Sequence, residues 1–137
     1  MKLSLAIFAL LICSISLQAQ SGITFFEGTF AEAKTQAAKE NKAIFLDAYT
    51  VWCGPCKWME KNTFTDQAVA DYYNSNFINV KMDMEKGEGI ALARKYRVMA
   101  YPTLLFIKSD GTVLGQKMGA KDAKNFLAIG KQINSSL

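Results

Sequence analysis

Histidine is absent from this 137-residue sequence, and proline and cysteine are scarce, with two and three residues respectively. The lack of histidine excludes Ser–His and Cys–His nucleophilic catalysis and any histidine-ligated metal site. Internal repeats, low-complexity tracts and proline-rich linkers are also missing, and no basic stripe accompanies the net charge of +4, so we expect no nucleic-acid partner. The length and the 50% hydrophobic content indicate one domain with a packed core.

The one long apolar run lies at the N-terminus, from Leu3 to Leu17, and follows Lys2. A charged start, a short apolar centre and a small residue at Ala19 are typical of a secretory signal peptide. We therefore expect residues 1–19 to be removed and residues 20–137 to form the domain. Removal leaves 15 basic and 12 acidic residues, a net charge of +3, and two cysteines. A periplasmic or secreted location follows, where disulfides can form.

Two other interpretations of this segment stay open. It could be retained as a membrane anchor, although a spanning helix needs about 20 apolar residues and this run is shorter and contains serines. It could also be the leader of a lipoprotein acylated on Cys13, which the bulky Ile12 and the apolar residues beyond the cysteine disfavour. With cleavage, no stable membrane insertion is expected.

Hydrophobic periodicity, capping residues and turn residues predict alternating strands and helices. Five strands are predicted, at Ile23–Phe26, Ala43–Tyr49, Phe77–Asp83, Thr103–Lys108 and Thr112–Met118. Five helices are predicted, from Thr29 to about Asn41, from Gly54, from Asp66 after a Thr65 cap, from Ile90 to Tyr96, and from Lys121 to Ile133. Strands separated by helices imply parallel crossovers, and the last hairpin adds an antiparallel edge. The expected fold is α/β, a central mixed β-sheet flanked by helices on both faces.

Two cysteines follow the strand that ends at Tyr49, within the segment Trp52-Cys53-Gly54-Pro55-Cys56-Lys57. Sites in such sheets lie beyond the carboxyl ends of strands. At a helix start, free N–H groups and the helix dipole would stabilise a Cys53 thiolate and make it the attacking sulfur. Cys56, in the first turn, would resolve the mixed disulfide. Pro55 suits the first helical turn, and Lys57 adds positive charge that would tune the pair.

Other roles for the two cysteines are possible. Structural zinc needs four ligands, which two cysteines and no histidine cannot supply, so a metal or iron–sulfur cluster would have to be shared by a dimer. A purely structural disulfide would stabilise little, because its loop is very short. Redox chemistry without a metal or organic cofactor is the expectation, with the cysteine pair itself as the redox-active disulfide.

The motif is accompanied by Asp47, Lys81, the segment Tyr101-Pro102-Thr103 and Gly119, and together they resemble the thioredoxin family, which implies the thioredoxin fold. The run from Cys56 to Val69 is similar to the C-terminal thioredoxin domain of periplasmic thiol:disulfide interchange proteins and to small secreted thioredoxin-like proteins. The likeness covers about Ala43 to the C-terminus.

The resemblance implies a role for each matching residue. Asp47 matches a buried carboxylate, and because burial would raise its pKa it could accept a proton from Cys56; the alternative is a carboxylate that reaches solvent or caps the next helix. Lys81 would tune Asp47 or would simply point outward. Pro102 would follow a cis peptide bond, and the Tyr101 backbone would pair with an extended substrate. Trp52, Gly54 and Pro55 would complete the substrate surface. Glu60 could help to tune the cysteines, but a solvated helix face is the expectation.

The expected function is therefore that of an extracytoplasmic thiol–disulfide oxidoreductase that reduces protein disulfides. Its expected partners are disulfide-containing protein substrates and an upstream thiol electron donor, and we expect a monomer. Two alternatives remain: the same site could act as an oxidant or isomerase, or the chain could be a thioredoxin-like binding module with incidental cysteines.

Overall fold

The structure is a computed structural model that describes residues 21–137. The expectations for the signal peptide, including its cleavage at Ala19 and the role of Cys13, lie outside the described residues. Five helices and four strands follow in the order α1 (Phe30–Glu40), β1 (Ala43–Tyr49), α2 (Gly54–Asn62), α3 (Gln67–Asn76), β2 (Phe77–Asp83), α4 (Gly89–Lys95), β3 (Thr103–Ile107), β4 (Val113–Met118) and α5 (Ala123–Asn134). Within residues 21–137, none of the helices combines the length and apolarity needed to span a membrane.

The four strands form one mixed sheet in the order β2-β1-β3-β4. Side chains alternate between the faces of a strand, and β1 shows this in its two hydrophobic clusters. Ile44 and Leu46 pack with residues of α1 and α4, whereas Ala43 and Phe45 pack with residues of α2, α3 and α5. The expected mixed sheet with helices on both faces is thereby confirmed.

The direction of β3 differs from the expectation of parallel crossovers. β1 and β2 are parallel, but β3 is antiparallel to β1, with Thr103 paired to Ala48 near the end of β1. The helix between β2 and β3, α4, has only seven residues and spans roughly 10 Å, whereas a seven-residue strand spans roughly 23 Å. This helix does not by itself carry the chain back along the strands, and the chain enters β3 at the end of the sheet where β2 ends.

The strand expected at Ile23–Phe26 was also wrong. This segment runs beside β2, but only Phe26 donates to a strand carbonyl, that of Asn79, at 2.7 Å. The N–H of Ile23 donates instead to Phe64, and the N–H of Thr24 to the side chain of Asn74. The backbone donors thus go to β2, to α3 and to the turn between α2 and α3, and no ladder forms.

Side-chain caps fix the helix starts. Thr29 and Glu32 form the expected capping box at α1. Asp66, rather than the predicted Thr65, caps α3 by accepting from the N–H of Val69 at 3.0 Å. Cys53 is the N-cap residue of α2, and its sulfur accepts the N–H of Cys56.

Candidate active site

The two cysteines form a disulfide at the N-terminus of α2, with their Cα atoms 5.3 Å apart. Cys53 is the N-cap residue, and its sulfur accepts a hydrogen bond from the N–H of Cys56 at 3.1 Å. Pro55 lies in the first turn, where no N–H is needed. Cys53 is 3% exposed and Cys56 is 1% exposed. The Cys53 sulfur therefore lies where helix N–H groups would stabilise a thiolate.

Trp52 lies beside the disulfide and connects three loops. It is 64% exposed, yet its indole N–H donates to both carboxylate oxygens of Glu85, at 3.0 and 3.1 Å. The edge of its ring contacts Tyr101, with ring centroids 5.8 Å apart. The sequence did not suggest Glu85, because a glutamate in the turn after β2 has no local feature that distinguishes it from any surface carboxylate.

Asp47 lies in the middle of β1 and is 1% exposed. Because alternate residues of a strand share a face, Asp47 points to the same side as Ala43 and Phe45, which α2 covers through Met59. Neither carboxylate oxygen has a hydrogen-bond partner among the described residues. Burial raises the pKa of Asp47 to about 7; the positive charge of Lys81 offsets part of this rise and the charge of Glu60 adds to it.

Lys81 is directly opposite Asp47 in the parallel pairing of β1 and β2. Its ammonium group binds the carboxylate of Glu60, from α2, and lies 4.6 Å from the centre of the Tyr49 ring. Glu60 therefore partly neutralises the positive charge of Lys81, which weakens the lowering of the Asp47 pKa by that charge. The sequence had suggested a solvated helix face for Glu60. Instead, β2 places Lys81 next to it, and the two side chains form an ion pair.

The segment before β3 lies close to the disulfide through the contact of Tyr101 with Trp52. The Tyr101–Pro102 peptide bond is cis, and Pro102 is buried. Its carbonyl accepts from the N–H of Gly119 at 2.8 Å, and Thr103 donates to the carbonyl of Ala100 at 2.7 Å. These bonds hold the loop at both ends of the proline.

Several residues on the segments that carry this site are exposed. Gly54 and Pro55 are both exposed, and a Cβ at Gly54 would meet no heavy atom within 4 Å. Lys57 is exposed on α2. Met99 is 84% exposed just before Tyr101, and Met118 is 60% exposed opposite Thr103. The sequence did not suggest these two methionines, since periodicity alone does not tell a surface methionine from a core one.

Among residues 21–137, no group of three or more histidine, cysteine or carboxylate side chains is arranged to hold a metal ion. The cysteine sulfurs, the buried Asp47 carboxyl and the aromatic pair of Trp52 and Tyr101 are the main features of this site.

A family model described as thioredoxin-like matches residues 26–109, more than half of the chain. This chain belongs to the thioredoxin-like family. Its fold superposes with a TM-score of 0.75 on a candidate disulphide-isomerase from Bacteroides thetaiotaomicron, which is 51% identical; the match covers 85% of this chain and 97% of that one. The thioredoxin-like family was predicted from the motif, and the prediction is confirmed.

Two relatives define how far the similarity extends. Thioredoxin-1 of Drosophila melanogaster is 38% identical over 53% of this chain and 64% of its own. The thiol:disulfide interchange protein DsbD of Actinobacillus pleuropneumoniae is 36% identical over 66% of this chain and 16% of its own. This thioredoxin-like protein therefore spans less than two thirds of the fly thioredoxin and about a sixth of DsbD.

Proposed function

We propose that this thioredoxin-like protein is an extracytoplasmic thiol–disulfide oxidoreductase that reduces protein disulfides through Cys53 and Cys56. The observation that carries the proposal is the Cys53–Cys56 disulfide at the start of α2, with the Cys53 sulfur accepting the Cys56 N–H. Dithiol–disulfide exchange needs only these sulfurs and a proton acceptor, so the proposal includes no metal or organic cofactor.

In the first step, the Cys53 thiolate of the reduced protein attacks one sulfur of a substrate disulfide. The substrate S–S bond breaks, its second sulfur leaves as a thiolate that takes a proton from solvent, and Cys53 is joined to the substrate in a mixed disulfide. The N–H groups at the start of α2 stabilise the Cys53 thiolate both as nucleophile and as leaving group.

In the second step, Cys56 loses its proton and attacks the Cys53 sulfur. The mixed disulfide breaks, the remaining substrate thiolate departs, and two electrons have passed from the cysteine pair to the substrate. Asp47 is the proton acceptor in this proposal. It is buried on the face that α2 covers, and a pKa of about 7 suits a group that takes and returns a proton near neutral pH.

The substrate surface proposed from the sequence comprises Trp52, Gly54, Pro55, Tyr101 and Pro102. Exposed apolar side chains next to the disulfide suit an extended segment of a protein chain, which could pair with the backbone beside Pro102. Met99 is exposed two residues before Tyr101 and Met118 is exposed opposite Thr103, and flexible thioether side chains adapt to varied partners. Disulfide-containing proteins are therefore the proposed substrates.

An upstream thiol donor is needed to restore the dithiol after each cycle. The similarity to DsbD supports a donor of this kind, and the N-terminal segment supports an extracytoplasmic location. Expression of the full chain with mass analysis of the exported product tests the location. A mature protein that begins at Gln20 is expected, and an uncleaved product confined to the cytosol would contradict the proposal.

The direct test of the activity is insulin reduction by the mature protein with dithiothreitol as donor. Wild type should accelerate the reaction, and Cys53→Ser should abolish the acceleration. Cys56→Ser should instead accumulate a mixed disulfide on Cys53, visible as an added mass. With both cysteines present, Asp47→Asn should slow the release of the substrate from its mixed disulfide with Cys53, and the protein should otherwise stay active. Equal activity of wild type and Cys53→Ser would exclude the mechanism. Client binding that survives replacement of both cysteines would support the alternative of a binding module.

A second candidate function is oxidation or isomerisation of disulfides at the same site. The 51% identical structure from Bacteroides thetaiotaomicron, described as a candidate disulphide-isomerase, favours it. The reduction potential separates the candidates, because thioredoxin has a potential of about −270 mV and the strong oxidant DsbA one of about −120 mV. The Gly54-Pro55 pair resembles reducing thioredoxins, so we expect a value near the reducing end. Metal analysis and the mass in solution test the proposed metal-free monomer.

A further inference from the structure

Buried polar atoms without a partner are concentrated just before the disulfide. Within residues 21–137, four buried side-chain oxygen or nitrogen atoms lack a hydrogen-bond partner: both Asp47 carboxylate oxygens, the Thr50 hydroxyl and Oδ1 of Asn79. The amide nitrogen of Asn79 still donates to Tyr73 and Asn74. Asp47 has a role in the exchange proposed above, but Thr50 has none.

Thr50 differs from the other buried threonines. Thr63 donates its hydroxyl to the carbonyl of Lys121 at 2.6 Å, and Thr103 donates to Ala100 at 2.7 Å. Thr50 is just as buried, at 1% exposure, yet its hydroxyl donates to no described residue. A buried unpaired hydroxyl costs free energy that a valine of almost the same shape would avoid.

The backbone of Thr50 is hydrogen-bonded to the backbone of Cys53. Its carbonyl accepts the N–H of Cys53 at 3.3 Å, so one tight turn joins Thr50 to the predicted attacking cysteine. In the disulfide form, Cys53 is bonded to Cys56 and its sulfur already accepts the Cys56 N–H. Reduction frees the sulfur and gives it a negative charge, which makes it a much stronger hydrogen-bond acceptor.

We propose that the Thr50 hydroxyl is a hydrogen-bond donor to the Cys53 thiolate, unpaired in the oxidised protein and paired in the reduced one. The proposal rests on the proposed dithiol chemistry at this site. Because the hydrogen bond exists only after reduction, Thr50 stabilises the reduced state selectively. It thereby makes the reduction potential more positive and favours the thiolate form of Cys53 over the thiol.

The test compares wild type with Thr50→Val, Thr50→Ala and Thr50→Ser in the mature protein, equilibrated with a series of glutathione redox buffers. Thr50→Val and Thr50→Ala should shift the equilibrium towards the disulfide by about five- to tenfold, where tenfold corresponds to about 30 mV. Both should also move the alkylation of Cys53 by iodoacetamide to higher pH. Thr50→Ser keeps the hydroxyl and should behave as wild type.

Thr63→Val is the matched control, since it removes a buried hydroxyl that is paired. It should lower the stability of the oxidised protein to urea without changing the glutathione equilibrium. Thr50→Val should leave the oxidised protein at least as stable as wild type. An unchanged equilibrium in Thr50→Val, or a loss of oxidised-state stability equal to that of Thr63→Val, would overturn the proposal. The glutathione equilibrium is readable even if insulin reduction fails, so the two proposals are tested separately.

Discussion

Removal of the Asp47 carboxyl should make the protein more stable at neutral and alkaline pH. The side chain is 1% exposed, its oxygens have no partner among the described residues, and burial raises its pKa from 3.8 to about 7. One unit of pKa corresponds to about 1.36 kcal/mol. A difference of about three units between the folded and unfolded chains is therefore linked to about 4 kcal/mol of unfolding free energy.

The sign follows from proton binding. Between the unfolded pKa of 3.8 and the folded pKa of about 7, the native protein holds a proton that the unfolded chain has released. The free energy of unfolding therefore falls as pH rises through this window, by up to about 1.4 kcal/mol per pH unit. The contribution of Asp47 is fully present below the unfolded pKa and is lost above the folded one. An amide side chain at this position carries no charge at any of these pH values, so the Asp47→Asn variant should lack this pH dependence.

The assay is urea unfolding of the oxidised protein at several pH values between about 4 and about 8. Near pH 4 the Asp47→Asn variant should resemble wild type, and above pH 7 it should be more stable by up to about 4 kcal/mol. Asp71→Asn, which alters an exposed helix carboxylate, is the control and should keep the wild-type slope. Equal slopes in wild type and Asp47→Asn would refute the reasoning, because they would mean that Asp47 is not held protonated by burial.

Three further predictions concern other parts of the fold. Arg97 has a left-handed φ of 51°, so Arg97→Gly should raise the urea midpoint and stabilise the folded protein by about 1 kcal/mol. Asn41 has a φ of 52°, but asparagine tolerates this conformation, so Asn41→Gly should increase the stability less. Gly130→Ala should destabilise the protein by about 1–3 kcal/mol in thermal unfolding, since the added Cβ would lie 2.8 Å from the Tyr73 ring. Gly54→Ala is the control, because a Cβ there meets open space, and it should not destabilise the protein. Equal effects of the two substitutions would contradict the packing argument. In a Trp58→Phe background, Glu85→Ala should change Trp52 fluorescence and raise the KM for a protein disulfide more than it lowers kcat. Glu85→Gln keeps a hydrogen-bond acceptor and should change the fluorescence and the KM less. Unchanged fluorescence in both variants would show that Glu85 does not position the indole.

Local patterns were sufficient wherever the information lies within a few neighbouring residues. The strands Ala43–Tyr49 and Phe77–Asp83 and the start of α2 at Gly54 match the predicted bounds, because apolar runs and a proline at a helix start are local features. The direction of β3 could not be predicted in this way. The direction of β3 depends on the end of the sheet at which the α4 connection leaves the chain. The first predicted strand, Ile23–Phe26, does not form because its N–H groups donate to acceptors far along the chain.

The sequence by itself determined the disulfide pair, since three residues of separation and a helix start are enough to bring Cys53 and Cys56 together. It also determined the family, through the motif and the residues that accompany it. Only the tertiary structure decided the environment of that pair. The contacts of Lys81 with Glu60 and of Trp52 with Glu85 join residues 21 and 33 positions apart. The burial that raises the pKa of Asp47 requires helices on the sheet, and desolvation exists only once the chain is packed.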